Sequence, residues 1–167
     1  MKRRGLWKWL SIAFSLFVAT AAIGVSSIDV GYAATSGTVT GWNEAETGIK
    51  LTYGGTEANN PWTYNNSQVI GATQSEGGGC SSTKHYDTTL TIMCNQAGVL
   101  SFDYAVDFQG GTIEINNAKI TSSGSFSKDV QQQDSVFVKL TSNSTSAKTT
   151  VTISNLKLEV PSVSAVV

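Results

Sequence analysis

The chain has 167 residues, and because the first 33 have the pattern of an export signal, 134 residues remain to form the fold. That length suits one domain, which can bury an apolar core without several disulfides or a structural metal. The exported part holds seven lysines, no arginine and eleven acidic residues, for a net charge of −4. With no guanidinium group to grip phosphate, this composition argues against nucleic acid and anionic membranes as partners.

The N-terminus is typical of a secretory signal peptide. Basic residues precede an apolar run over residues 10–25, and Gly31 and Ala33 supply the small side chains that a signal peptidase requires. We predict a signal peptide over residues 1–33, no membrane insertion after cleavage, and a secreted or cell-surface location. The long signal resembles those of Gram-positive bacteria. An uncleaved membrane anchor is the alternative, because the apolar run is close to the minimum length for a span.

The first exported half contains two clear strand patterns and one weak one. Apolar and polar residues alternate over residues 49–53, before Gly54 and Gly55, and again over residues 90–94. Over residues 63–70 the alternation is weaker. Since side chains of a strand point alternately to its two faces, each alternating segment predicts a half-buried strand.

The clearest alternation in the chain runs over residues 100–108, where five large apolar side chains alternate with small or acidic ones. This pattern predicts a strand. Gly110 and Gly111 permit the positive φ of a tight turn, and residues 112–115 predict the next strand. The simplest interpretation is a hairpin that pairs these two strands.

Beyond this pair, Asn116 and Asn117 predict another short turn, and residues 126–130 and 136–140 predict further strands. The last strand changes phase, since its apolar residues occupy odd positions at 151 and 153 but even positions at 156, 158 and 160. One extra residue must therefore be accommodated. We predict a β-bulge near Ser154 or Asn155.

The exported segments together predict an all-β fold. No window of eleven or more residues shows helical spacing, and eight or nine short strands imply two antiparallel sheets packed face to face. We predict a β-sandwich over residues 34–160, of the jelly-roll type, with immunoglobulin-like connectivity left open by the pattern. Residues 161–167 form an uncharged tail that resembles the beginning of a linker to further domains.

Residues 97–159 carry a resemblance to known proteins. The segments "AGVLSFDYAV", "GGTIEINNAKI" and "TVTISNLKLE" resemble the second half of jelly-roll modules in bacterial extracellular proteins, among them carbohydrate-binding modules and repeat domains of surface adhesins. The resemblance implies the jelly roll and a role in glycan binding or adhesion. In the same way, "NEAE" at residues 43–46 is similar to a segment that helps hold a structural calcium in sugar-binding jelly rolls, which makes Glu44 and Glu46 calcium candidates.

Cys80 and Cys94 are the only cysteines. Because the count is even and the protein is predicted to be exported, we expect a disulfide between them, worth about 3 kcal/mol on the chain-entropy model. The alternative is two separate buried thiols, since Cys94 shares the inward phase of Leu90 and Ile92.

Neither hydrolysis nor transition-metal chemistry is indicated. His85 and Asp87 lie together in sequence, but no G-x-S-x-G nucleophile elbow is present. Asp103 and Asp107 share a strand face at roughly 13 Å, farther apart than the carboxylates of glycosidases. We expect both aspartates to be solubilising charges, and we expect no cofactor beyond the possible calcium and no enzymatic activity.

The large aromatic residues give the functional hint. Trp42, Trp62 and Tyr64 combine an apolar face with a polar edge, which suits stacking on sugar rings, and Asn60 and Asn65 can bond sugar hydroxyls. We predict these five residues to be the ligand-binding site. The alternative is that Trp42 and Trp62 plug the ends of the sandwich, because tryptophan is highly buried on average.

The predicted function is therefore a non-catalytic, secreted or cell-surface bacterial module that binds a glycan or a cell-surface polysaccharide, or that mediates adhesion. The alternative is a structural spacer or protein-interaction module of a larger surface protein. An exposed Trp62 or Tyr64 would favour the glycan-binding module, whereas burial of both would favour the spacer.

Overall fold

In the computed structural model, which describes residues 35–56, 61–76 and 85–162, strands account for nearly all regular structure. The predicted signal peptide and the residues after Ser162 lie outside the described residues. The elements in chain order are β1 (Thr35–Thr38), α1 (Glu44–Thr47), β2 (Ile49–Gly55), β3 (Trp62–Asn65), β4 (Gln68–Thr73), β5 (Asp87–Cys94), β6 (Gly98–Asp107), β7 (Thr112–Ile115), β8 (Ala118–Lys119), β9 (Gly124–Val130), β10 (Ser135–Thr141) and β11 (Thr149–Glu159).

The strands form two antiparallel sheets that pack against each other, which confirms the predicted sandwich. Sheet A has the order β1-β2-β5-β10-β7-β8, and sheet B has the order β3-β4-β11-β6-β9. The pairs β4/β11, β5/β10, β6/β9 and β7/β8 are nested, as in a long hairpin whose successive pairs fall alternately in sheet B and sheet A. This nesting is the jelly roll, so the strand order decides against immunoglobulin-like connectivity.

The predicted hairpin between residues 100–108 and 112–115 is wrong. The glycine turn is present, with a positive φ of 86° at Gly110, but β6 pairs with β9 and β11 in sheet B whereas β7 pairs with β8 and β10 in sheet A. The turn therefore carries the chain from one sheet to the other. Both strands have an apolar face, and crossing lets each face be buried against the opposite sheet.

The core lies between the sheets and follows the predicted alternation. In β5, Leu90, Ile92 and Cys94 are fully buried, and in β10 the same holds for Val136 and Val138. The outward positions of these strands carry polar side chains, with the exception of Met93 and Phe137. The half-buried strands expected over residues 90–94 and 136–140 are thereby confirmed, whereas residues 63–70 belong to two strands, β3 and β4.

The predicted β-bulge is confirmed. The register between β11 and β6 shifts between Ser154 and Lys157, where Asn155 and Leu156 oppose Phe102 alone. Asn155 adopts a positive φ of 53°, a conformation that asparagine tolerates better than most residues. The bulge keeps Ile153 and Leu156 facing the interior on either side of it.

Two tight turns join neighbouring strands within a sheet. The predicted turn at Asn116 and Asn117 is confirmed, with φ values of 49° and 66° in the hairpin between β7 and β8. A second hairpin joins β3 and β4 through Asn66 and Ser67, with φ values of 49° and 63°. Consecutive positive φ values give these turns a twist that matches the twist of the flanking strands.

Cys94 is a buried free thiol at the end of β5, so the predicted disulfide with Cys80 is not formed in this structure. Cys80 itself lies outside the described residues. Burial raises the pKa of the Cys94 thiol, and the Asp134 carboxylate raises it further. The position corresponds to the alternative of a buried thiol in phase with Leu90 and Ile92.

Among the described residues, no helix is both long and apolar enough to cross a membrane. The helix in this part of the chain, α1, has four residues and is capped by the Asn43 side chain at its start and by the left-handed Gly48 at its end.

We predict that the stability of the fold requires glycine at position 71, because the Trp62 ring packs directly against it. A Cβ added at Gly71 would lie 2.7 Å from Cε3 of the buried indole, so Gly71→Ala should lower the free energy of unfolding by about 1–3 kcal/mol, measured in urea. Gly54→Ala is the matched control, because its Cβ would meet only Thr35 O at 3.7 Å. Equal stability of the two variants would contradict the packing described.

Cys94 is predicted to react slowly with iodoacetamide in the native protein and rapidly in denaturant without reductant. Burial and the raised pKa both suppress the thiolate that reacts. Mass spectrometry of the alkylated protein gives the readout. A denatured protein that takes up label only after reduction would instead establish the disulfide.

Candidate functional site

Trp62 does not form an open stacking surface. Its side chain is fully buried, its ring covers Gly71, and its Nε1 donates a hydrogen bond of 2.8 Å to Thr88 Oγ1. Trp62 therefore offers no open ring face for the predicted stacking role in this structure, because the residue occupies an inward position of β3. It closes the interior, as the alternative interpretation of the tryptophans holds.

Trp42 and Tyr64 pack against each other beside Trp62. Both are half-buried, and their rings make an edge-to-face contact with centroids 5.2 Å apart. Trp42 Nε1 donates a 2.7 Å hydrogen bond to Ile49 O, which holds this ring in place. Of the remaining predicted ligand residues, Asn65 is exposed and Asn60 lies outside the described residues.

The outer face of sheet B carries a line of hydrogen-bonding side chains, which we call the polar row. It crosses all five strands in register, since β3 pairs with β4, β4 with β11, β11 with β6 and β6 with β9 at these positions. The side chains face solvent because their neighbours along each strand point inward. The members of the polar row are Asn65, Gln68, Ser154, Asp103 and Ser125.

Asp103 is held in a defined orientation near one end of the polar row. Ser125 Oγ donates a 2.7 Å hydrogen bond to Asp103 Oδ1, and Asn155 Nδ2 donates a 2.7 Å hydrogen bond to Asp103 Oδ2. Asn155 reaches the carboxylate from the β-bulge. The hydrogen bond from Asn155 has the largest effect and lowers the pKa of Asp103. The hydrogen bond from Ser125 and the charge of Lys157 lower it further. The carboxylate is thus an ionised, oriented acceptor.

An open depression of about 550 Å³ surrounds this carboxylate, and we call it the Asp103 depression. The Phe102 and Phe126 rings stack with centroids 4.9 Å apart and form its apolar base. Polar groups of three strands therefore converge on an accessible space. The lining residues are Ser101, Phe102, Asp103, Ser125, Phe126, Ser127, Asn155, Leu156 and Lys157.

Among the described residues, His85 lies beside a serine, and no cluster of metal ligands is found. His85 Nδ1 lies 3.5 Å from Ser75 Oγ, and because the Ser75 hydroxyl donates its proton to Ser142 O at 2.8 Å, it can serve only as an acceptor towards the histidine. No group of three or more metal-ligating side chains occurs among residues 35–56, 61–76 and 85–162.

The two calcium candidates, Glu44 and Glu46, each accept a hydrogen bond from a different asparagine. Glu44 accepts a 3.0 Å hydrogen bond from Asn95, and Glu46 accepts one of 3.0 Å from Asn43. Both glutamates are exposed on α1. Calcium binding at this position stays a prediction.

Sequence reasoning missed the polar row and interpreted Asp103 as a solubilising charge. Alternation alone places Asp103 on the outer face. The residues that lie beside it on other strands depend on the register between segments far apart in the chain. The predicted bulge was the available signal, because bulges redirect side chains and are frequent next to functional sites.

No family model matches the sequence. No curated protein matches it. Among solved structures, the crystal structure of a GH31 alpha-xylosidase from Xanthomonas citri is similar to 74% of this chain and to 22% of that chain, with 8% sequence identity and a TM-score of 0.26. At that TM-score the likeness carries no argument.

Replacing Asn155 with glycine is predicted to raise the pKa of Asp103 towards its ordinary value. Glycine keeps the positive φ of the bulge but removes the amide that donates to the carboxylate. Titration of the Asp103 carboxyl carbon by NMR measures the change. Asn117→Gly, which makes the same exchange at a positive φ elsewhere, should leave this titration unchanged.

The sign of the linked stability effect follows from the lowered pKa. The stabilising hydrogen bonds are present above the pKa of an unfolded aspartate and are lost as the pH falls through the lower folded value. Asn155→Gly should therefore lose less stability on acidification than the unmodified protein. A pKa of Asp103 that does not change in this variant would contradict the proposed hydrogen bond.

Proposed function

We propose that this chain is a non-catalytic β-sandwich module of an exported bacterial protein, and that it binds carbohydrate in the Asp103 depression. The observation that carries the proposal is the oriented Asp103 carboxylate in an open space lined by hydroxyl, amide and ammonium groups. A secreted or cell-surface location is part of the proposal and derives from the signal-like N-terminus.

The chemistry of the depression suits a ligand rich in hydroxyl groups. Each carboxylate oxygen of Asp103 accepts one hydrogen bond from the protein and can accept a second one from a ligand. Hydrogen bonds to ionised groups are shorter and stronger than hydrogen bonds between neutral groups. Vicinal sugar hydroxyls could donate to the carboxylate and accept from Lys157, Ser101 or Ser127.

Catalysis is not part of the proposal. A carboxyl group whose pKa is lowered is a poor proton donor at neutral pH, and Asp103 is in that state. Asp107, the next carboxylate on this face of β6, is four residues away, roughly 13 Å along the strand. Glycosidase carboxyl pairs lie closer together.

A structural spacer or protein-interaction module is the second candidate, and one observation favours it. Trp62 is buried and Tyr64 is half-buried against Trp42, so no aromatic platform is open in this region. The exposed Phe137 on the outer face of sheet A, with 46% of its surface accessible, would be a contact point for a protein partner in this case.

Carbohydrate binding is tested with glycan arrays and pull-down on insoluble polysaccharides. We expect Asp103→Ala to weaken binding at least tenfold, which corresponds to about 1.4 kcal/mol. Asp107→Ala is the matched control, because it removes a carboxylate from the same face and strand outside the depression. It should bind as the unmodified protein does.

The two candidates give different outcomes. Binding that is lost in the Asp103 variant but kept in the Asp107 variant supports the glycan module. Absence of binding to every glycan by the folded protein would favour the spacer. Binding that survives Asp103→Ala would place the carbohydrate site elsewhere and contradict the proposed depression.

A further inference from the structure

We infer that the ligand of sheet B is a linear, uncharged glycan that lies across the strands along the polar row and contacts the protein with several sugar units. This inference rests on the proposed function and adds the ligand class, its direction and the length of the site. Its physical basis is the register of the sheet, which aligns hydrogen-bonding side chains well beyond the Asp103 depression.

The polar row is long enough for several sugars. It crosses five strands, and the four intervals of about 4.8 Å give it a length of about 19 Å. Asn65 and Gln68 lie at one end, Ser154 lies at the centre, and Asp103 and Ser125 lie at the other end. The strand interval is close to the length of a pyranose unit, so successive sugars could meet successive side chains.

A second line of residues runs parallel to the polar row and has a less polar character. Thr63, Ile70, Thr152 and Ala105 are aligned by the same register, two residues further along each strand. They present methyl groups and one larger aliphatic side chain. A pyranose has hydroxyl groups at its edge and C–H groups on its faces, so the two adjacent lines match both parts of a sugar chain.

The charge of this face favours an uncharged ligand. Asp103 is the ionised member of the polar row, and the neighbouring Lys157 forms an ion pair with Glu159. Among the described residues, the row therefore offers no unpaired cation for a carboxylated or sulfated polysaccharide. The lowered pKa of Asp103 keeps it charged, so an acidic glycan would be repelled.

Neither line contains an aromatic ring. Binding would depend on hydrogen bonds and small aliphatic contacts, which require access to an edge and a face of the same sugar chain. A single soluble chain provides this access, whereas a chain packed in a crystalline polymer does not. The site is therefore suited to single glycan chains.

The test measures affinity against oligosaccharide length by calorimetry, with the full exported protein. The probes are cello-, xylo-, manno- and malto-oligosaccharides of one to six units, with oligogalacturonate as the charged probe. For at least one neutral series we expect the affinity to rise at least tenfold from two to five units, and oligogalacturonate to bind more weakly.

Variants at the end of the polar row farthest from Asp103 distinguish an extended site from binding in the Asp103 depression alone. Gln68→Ala and Asn65→Ala should each weaken binding of the longest neutral probe at least threefold and leave the disaccharide unaffected. Both residues are exposed, so folding should be preserved and circular dichroism checks it. Gln132→Ala, an exposed glutamine in the loop before β10, is the matched control and should change neither affinity.

The outcomes distinguish this inference from the proposed function. Asp103-dependent binding that is independent of chain length, or insensitive to Gln68 and Asn65, would overturn the extended site and leave the glycan module intact. Tighter binding of oligogalacturonate would overturn the preference for uncharged chains. Absence of binding to all probes, in a protein whose polysaccharide pull-down is also negative, would overturn both proposals.

Discussion

The burial of two apolar sheet faces against each other constrains the rest of this structure. An isolated sheet of five or six strands would leave one apolar face in water, so the two sheets are stable only together. The nested pairing of β4 with β11, β5 with β10 and β6 with β9 allows successive strands to enter alternate sheets. The turn at Gly110 crosses between sheets for this reason, although its local sequence is equally compatible with a hairpin.

The β-bulge connects core packing with surface chemistry. Without an extra residue in β11, either Val151 and Ile153 or Leu156 and Leu158 would face solvent. The bulge resolves this conflict, and its left-handed residue, Asn155, directs an amide to Asp103. A feature required for burying apolar side chains thereby also orients the carboxylate at which we propose carbohydrate binding.

The edges of the sandwich show how a β-protein can hinder pairing with other chains. β9 forms one edge of sheet B, and its pairing with Leu100 places Lys128 at an inward position where it nevertheless stays exposed. A charge at such a position hinders the addition of a further strand. At the opposite side of the sheet, β3 inserts Trp62 into the interior, where Thr88 satisfies its indole N–H.

Local sequence determined much of the architecture. The alternation of apolar residues in β5, β6 and β10, the asparagine turn before β8 and the phase change in β11 were sufficient for an all-β sandwich with a bulge, because a period of two depends on neighbouring residues alone. Tertiary structure decided the rest. The partners of β6, the inward position of Trp62 and the alignment of Gln68, Ser154, Asp103 and Ser125 depend on pairing between segments far apart in the chain, and one pattern of alternation is compatible with many such registers.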